Sequence, residues 1–220
     1  MITADRAGRV RLVLVRHGRS TANLERVLDT RPPGAPLDEL GREQAERLAA
    51  RLLAWPIRAV HASSAVRAQQ TAAPLAAALG LPVEVVDGLH EIDAGDLEGR
   101  SDAAALAAFD EIYDVWWRGE LGTRLPGGES ALDLRARFLP ALDRIVEPIT
   151  DGDVVVVSHG AAVRLAAAAL LGDTAETWYV PNTGVVVLER GRDGSRDWVL
   201  ESWDPAAPVS GDVTAGGEPS

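Results

Sequence analysis

The sequence predicts an α/β fold of three layers, with a mainly parallel central sheet flanked by helices. Short runs of β-branched residues alternate with longer segments whose apolar positions recur at helical spacing. The strand runs are continuously apolar, as strands covered on both faces are. The chain has 220 residues, 46% of them hydrophobic, which suits one domain with a substantial core.

Val10 to Val15 reads as a buried first strand. Leu40, Ala45, Leu48 and Leu52 then recur at helical spacing behind Asp38, a side chain able to cap the first turn, giving a helix of about 38–54. Ile57 to Val60 is a second strand, 65–79 an Ala-rich helix closed by Gly80, and Val83 to Val86 a third strand. Residues 102–118 form a helical pattern. The turn Leu125-Pro126-Gly127-Gly128 precedes Ser130 to Asp133, a capping-box pattern that opens a helix to about Val146. The run after Asp153 is a fourth buried strand, Gly160 to Leu171 a buried helix, and Gly184 to Arg190 and Asp197 to Trp203 two more strands joined by the turn 191–194. One domain over 1–203 is expected, followed by a disordered tail over 204–220 that is poor in large apolar residues. Residues 31–36, Arg-Pro-Pro-Gly-Ala-Pro, read as a stiff loop.

Composition excludes several functions. The net charge of −11 lacks the basic footprint that nucleic acid and anionic membranes need. No apolar run approaches the ~20 residues of a membrane span, so a cytoplasmic protein is expected. All 22 basic residues are Arg, which removes Schiff-base and P-loop lysine chemistry, and the absence of Cys removes thiolates. An anionic ligand must therefore be held locally, by arginine.

Ligands of open α/β sheets bind beyond the carboxyl ends of the strands. Arg16-His17-Gly18-Arg19-Ser20 follows the first strand, Ser63-Ser64 and Arg67 the second, His90-Glu91 the third, and Ser158-His159-Gly160 ends the fourth. This set suits phosphoryl transfer to a histidine. A neutral imidazole attacks phosphorus while Arg16, Arg67 and a protonated or donating His159 offset the charge on the oxygens. Arginine's planar fork matches phosphate. Gly18 and Gly160 are expected to let backbone N–H groups reach the anion, helices opening near Ser20 and Gly160 to add their positive ends, and Asn23 to donate a hydrogen bond. A carboxyl group must protonate the leaving oxygen, and Glu91, Asp93, Asp96 and Glu98 compete for that role. A zinc site has little support, since neither His17 nor His159 has a second ligand at i+4.

The chain resembles the histidine phosphatase superfamily, the phosphoglycerate mutase-like family. Arg16-His17-Gly18 with Ser20 and Asn23 is similar to its first motif, and Ser64 to Thr71 with Arg67 to its second. Leu89-His90-Glu91 with Gly95, Glu98 and Gly99 resembles the acid-bearing loop, and Leu125 to Ser130 and Ser158-His159-Gly160 complete the order. The resemblance spans about residues 10–190. It implies the mutase-like fold, His17 as the phosphorylated nucleophile, Arg16, Arg67 and His159 as the phosphate pocket, Glu91 as the proton donor, a small phosphorylated substrate, and no metal or organic cofactor. Mutases of glycolysis usually carry an acidic or amide residue at position 19 and a Trp before the Asn. Here Arg19 and Thr21-Ala22-Asn23 stand, and Glu91-Ile92-Asp93-Ala94-Gly95 replaces the mutase segment Glu-Arg-His/Tyr-Tyr-Gly. A phosphatase is therefore favoured over a mutase or an idle binding module.

Other residues are given plainer expectations. His61 fills a strand end, His90 lines the mouth of the site, Arg135 and Arg137 face solvent, and Trp116-Trp117 packs on the sheet or closes as a lid.

Overall fold

The computed structural model describes residues 8–173, 175–191 and 197–204. The strands β1 (Val10–Arg16), β2 (Ile57–Ala62), β3 (Val83–Val85), β4 (Gly152–Ser158), β5 (Val185–Arg190) and β6 (Trp198–Asp204) form one sheet in the order β3-β2-β4-β1-β5-β6. The strands β3, β2, β4 and β1 run parallel, whereas β5 is antiparallel to β1 and β6 to β5. The sheet is mixed, with the parallel part predicted. Asp204 belongs to β6 rather than to the expected tail; residues 205–220 and turn positions 192–194 lie outside the described residues.

The helices are α1 (Thr21–Glu25), α2 (Glu39–Leu52), α3 (Val66–Leu79), α4 (Ala103–Trp117), α5 (Ala131–Val146) and α6 (Gly160–Leu171). The two-residue period of the strands divides the core. Leu12, Leu14, Val154 and Val156 pack with α5 and α6, while Val13, Val15, Val155 and Val157 pack with α2 and α3 on the opposite face. Each of the four valines of β4 is fully buried, a contribution of roughly 1.5–3 kcal/mol per side chain before entropy is charged. Helix starts follow local chemistry. Asp38 accepts from Gly41 N and Asp102 from Ala105 N, and Ser20/Asn23 and Ser130/Asp133 close full capping boxes. Gly80, at φ +68°, ends α3 in the left-handed conformation that lacks a penalty for glycine.

Four side chains depart from expectation or resolve it. Arg135 is buried, donating to Leu165 O and paired with Asp173, and Arg137 is turned inward onto backbone carbonyls. Long arginine stems cover apolar surface and carry the head to acceptors that pattern alone does not reveal. Trp116 is packed in the core with its N–H on Thr123 O, and Trp117 lies 3.9 Å from the Arg164 guanidinium, so this pair packs rather than covering the site.

At the amino ends of the parallel strands, Arg11 on β1 faces its register partner Asp153 on β4. Both are buried, in a two-pronged ion pair that also draws in Glu201 at 3.0 Å, with the Trp55 ring 4.5 Å away. Removing one member strands the other charge in the interior. Asp153→Ala should therefore lower unfolding free energy by about 3–5 kcal/mol. A urea midpoint unchanged from wild type would refute that role.

Candidate active site

The carboxyl ends of β1 and β4 are in register, Arg16 opposite Ser158, so the residues that follow, His17 and His159, leave the sheet side by side. Their rings sit edge to face with centroids 5.1 Å apart. Arg67, in the first turn of α3, reaches between them from the β2 side. Its Nε donates to His17 Nε2 at 3.1 Å and its Nη2 to His159 Nδ1 at 3.2 Å.

These contacts determine where the ring protons are. Arginine only donates, so His17 Nε2 must present a lone pair, and its Nδ1 carries the proton that Gly18 O accepts at 2.7 Å. In His159 the order is reversed: Nδ1 bears the lone pair and Nε2–H faces Ser63 Oγ at 2.7 Å. Both rings are neutral. Burial first, then Arg67, holds the pKa of each well below the usual histidine value; Arg16 adds to the effect at both, and His17 also acts on His159.

Arg16 is held from the β5 side, its Nη1 donating to Tyr179 Oη at 2.5 Å and to Val180 O at 2.9 Å. Its Nε is buried with no hydrogen-bond partner among the described residues, a state that costs ~1–3 kcal/mol. An anion beside it would remove that cost. Gly160 gives the guanidinium its room, since a Cβ there would lie 3.3 Å from Arg16 Nε. Glu91 sits at the amino end of α6, its Oε1 accepting from Ala162 N and Ile92 N at 2.9 Å and its Oε2 from Ala161 N at 3.1 Å. It supplies the cap that the N-cap residue His159 does not.

One cavity is lined by Arg16, His17, Ser20, Asn23, Arg67, Glu91 and Gly160, seven of the expected residues. Gly18, His90 and His159 are not in its lining. Gly18 N donates to Thr71 Oγ1, and a Cβ there would stand 2.6 Å from Gly41 O, so this glycine serves the close approach of α2 rather than an anion. His159, expected to donate to a phosphoryl group, here has Nε2 at Ser63 Oγ and Nδ1 at Arg67 Nη2. His90 contributes its carbonyl to Arg137. His61 is buried in β2 with Glu84 3.4 Å from its Nδ1. Asn23 Oδ1 is taken by Ser20 N and Asn182 Nδ2, the second at 3.3 Å. Among the described residues, no three His, Asp or Glu side chains gather as metal ligands, and no helix is long and apolar enough to cross a membrane.

Sequence reasoning missed three members. Asp29 takes Arg67 Nη1 on Oδ2 at 2.9 Å and Arg67 Nη2 on its carbonyl at 2.8 Å. Asn182 Nδ2 donates to His17 O at 2.9 Å, and Tyr179 meets Arg16. The last two precede β5, whose amino end reaches the same sheet edge because it runs antiparallel. Inspecting only carboxyl ends of strands overlooks them. The outer wall is apolar, with Val27, Leu28, Leu106, Phe109 and Tyr113, and ends at Arg26 and Asp110.

The chain matches the model of the histidine phosphatase superfamily (branch 1) over residues 12–204. It is 32% identical over 230 residues to the glucosyl-3-phosphoglycerate phosphatase of Mycolicibacterium vanbaalenii, covering 92% of this chain and 98% of that protein. It is 38% identical over 193 residues to the 2,3-bisphosphoglycerate-dependent phosphoglycerate mutase of a Methylobacterium species, covering 81% and 90%. It is also 33% identical over 219 residues to PE-PGRS family protein PE_PGRS11 of Mycobacterium tuberculosis, covering 89% of this chain but spanning 37% of that longer protein. Two solved structures of mycobacterial glucosyl-3-phosphoglycerate phosphatase, native and with VO3, superimpose with TM-scores of 0.77 and 0.75. Their identities are 28% and 30%, covering 90% and 89% of this chain and 100% and 99% of theirs.

The neutral histidines tie stability to pH. A histidine whose pKa is depressed by folding binds more protons unfolded, so stability is full above the ordinary value of 6.5 and is lost as pH falls below it. Between pH 6.5 and 5.5 the unfolding free energy should fall by up to about 1.4 kcal/mol per pH unit for each of His17 and His159. Urea titrations at stepped pH, with His17→Asn removing one share of the slope, check this; a flat profile would contradict it.

Proposed function

Because the chain belongs to the histidine phosphatase superfamily, we propose that it is a phosphomonoesterase, a single catalytic domain acting on a small phosphorylated metabolite through a phosphohistidine at His17. The observation that carries this reading is the lone pair on His17 Nε2, set beside Arg67 Nε and within a cavity that also presents the unpartnered Arg16 Nε. A nucleophile for phosphorus must be unprotonated and surrounded by donors that offset charge on the phosphoryl oxygens, and this ring meets both conditions.

In the first half-reaction Nε2 bonds to phosphorus, the ester oxygen departs, and Glu91 delivers its proton to that oxygen. The ring gains positive charge, which the Nδ1–H bond to Gly18 O shares. In the second half-reaction water bonds to phosphorus, its proton returns to Glu91, and the P–N bond breaks to regenerate neutral His17. Arg16 and Arg67 hold the phosphoryl oxygens through both. The activities of the relatives, a glucosyl-3-phosphoglycerate phosphatase and a phosphoglycerate mutase, both call for a site that takes a phosphoryl group. A mutase must also bind a second anionic group, and among the lining residues Arg26 is the cation beyond Arg16 and Arg67, placed at an exposed outer end. The wall of Leu28, Leu106, Phe109 and Tyr113 adds no further cation for that second group, which supports hydrolysis over transfer.

Rapid acid-sensitive quenching during turnover should place labelled phosphate on His17; label on Ser20 or Ser158 instead would overturn the mechanism. Vanadate, which adopts the five-coordinate geometry of the transferring phosphorus, should inhibit competitively.

The proton donor has its own signature. An alkyl alkoxide leaves poorly without a proton, whereas nitrophenolate leaves readily. Glu91→Gln should depress kcat on sugar phosphates by about 10²–10⁴-fold and on nitrophenyl phosphate far less. Asp93→Asn or Glu98→Gln showing that dependence, with Glu91→Gln lacking it, would reassign the acid.

A further inference from the structure

Building on the reading of Glu91 as proton donor, we propose that Arg137 is the positioning residue for Glu91, acting through the backbone that carries it and braced by Glu129. Residues 88–94 lie in neither strand nor helix, so their carbonyls have no ladder partners and must find donors elsewhere. Arg137 Nη1 donates to Gly88 O and His90 O, each at 2.8 Å, and Nη2 to Glu91 O at 2.7 Å. Ser158 Oγ donates to Leu89 O at 2.7 Å. Four successive carbonyls thus end on two side chains, one from α5 and one from β4.

The guanidinium is used completely. Its remaining N–H groups fork onto Glu129, Nε to Oε1 at 2.8 Å and Nη2 to Oε2 at 2.7 Å, so all five donors are engaged. Glu129 also ties the next stretch of the loop, its Oε2 accepting from Asp93 N and its own N–H donating to Asp93 O, both at 3.0 Å. The glycines around it permit contact of backbone with backbone: a Cβ on Gly128 would stand 2.2 Å from Asp93 O, and one on Gly88 2.9 Å from Arg137 O. The Leu125 to Ser130 turn, a motif that contributes no residue to the cavity lining, finds its role here. It holds the acid-bearing loop.

Glu91 is consequently pinned at two points, its carboxyl group on the amino end of α6 and its carbonyl on Arg137. The nucleophile and the phosphate donors come from β1 and α3, which Arg137 does not touch. Loss of Arg137 should therefore move the acid relative to the leaving oxygen and leave phosphoryl binding intact. A lysine has three donors on one point and cannot span three carbonyls and a carboxylate.

The test measures kcat and KM for wild type, Arg137→Ala, Glu129→Gln, Glu91→Gln and the double variant of Arg137→Ala with Glu91→Gln, on glycerol phosphate and on nitrophenyl phosphate. Arg137→Ala should lower kcat on glycerol phosphate by about 10- to 100-fold, the scale of an ångström of misplacement, with KM and vanadate inhibition near wild type. On nitrophenyl phosphate the loss should be below about 3-fold, because that leaving group needs little acid assistance. The double variant should be no worse than Glu91→Gln alone, and guanidinium or methylguanidinium added to Arg137→Ala should restore part of the alkyl rate. If Arg137→Ala does not fold, Glu129→Gln carries the same comparison, with a smaller effect of the same leaving-group dependence. Equal losses on both substrates, or additive losses in the double variant, would mean a merely structural role and overturn the proposal. Glu91→Gln without leaving-group dependence overturns the reading of Glu91 and the proposal with it; Glu91→Gln with that dependence and the clamp variants without it overturn the proposal alone.

Discussion

The site is organised around a cation that is almost wholly buried. Arg67 is 2% exposed, and a guanidinium in that position is tolerable only if its donors are met. It meets them with two imidazoles and Asp29, and in doing so dictates the proton on each ring. The same demand explains the proline-rich segment. Gly34, at φ +64°, lies so close that a Cβ would fall 2.3 Å from Arg67 Nη1, and Ala35 N shares Asp29 Oδ2 with the guanidinium. The loop over residues 31–36 closes the outer side of the arginine, and its stiffness keeps Asp29 aligned.

From that centre the constraints pass outward through backbone outside the strands and α-helices. Glu98 accepts from Thr30 N and Arg31 N at 2.9 and 3.1 Å, joining the segment that bears Asp29 to the loop that follows Glu91. Asp96 N donates to Pro126 O at 2.8 Å, joining that loop in turn to the turn before α5. Three irregular segments, distant in sequence, are thereby fixed to one another and to the sheet edge. Irregular backbone held by so many side-chain bonds has few conformations open to it, and a reaction needing placement to a fraction of an ångström gains from that.

The order and type of the elements were legible because the determinants are local: valine runs, capping residues, Gly80 after its helix. The convergence of His17, Arg67 and Glu91 was legible too, since parallel strands deliver their following residues to one edge. What escaped is set by tertiary contact. Position after a strand suggests that Gly18 makes way for an anion, yet its neighbour is Gly41, a residue that spacing does not connect to it. Arg137 carries no periodic signal separating a solvated arginine from one facing three carbonyls. Asp29 and Asn182 act through positions in loops, and the antiparallel turn of β5 toward the site depends on pairing that no single strand announces. The tautomer of His159 is set in the same way: its residue type permits donation or acceptance, and the position of Arg67 decides between them.

On the proposed mechanism, the contact between Arg67 Nε and His17 Nε2 changes meaning during the reaction. Before transfer it occupies the lone pair that must attack, so the nucleophile and this donor are mutually satisfied in the resting ring. Once Nε2 bonds to phosphorus it can no longer accept, and the N–H is released to a phosphoryl oxygen only a bond length farther out. The donor therefore binds the transferring group more strongly than the bound ester, the condition for lowering a barrier rather than tightening a ground state. Arg16 Nε acts in the same sense, having no partner among the described residues to give up. In a chain of net charge −11, general attraction cannot gather an anion; these two N–H groups, one orphaned and one exchangeable, recognise the phosphoryl group at the moment it moves.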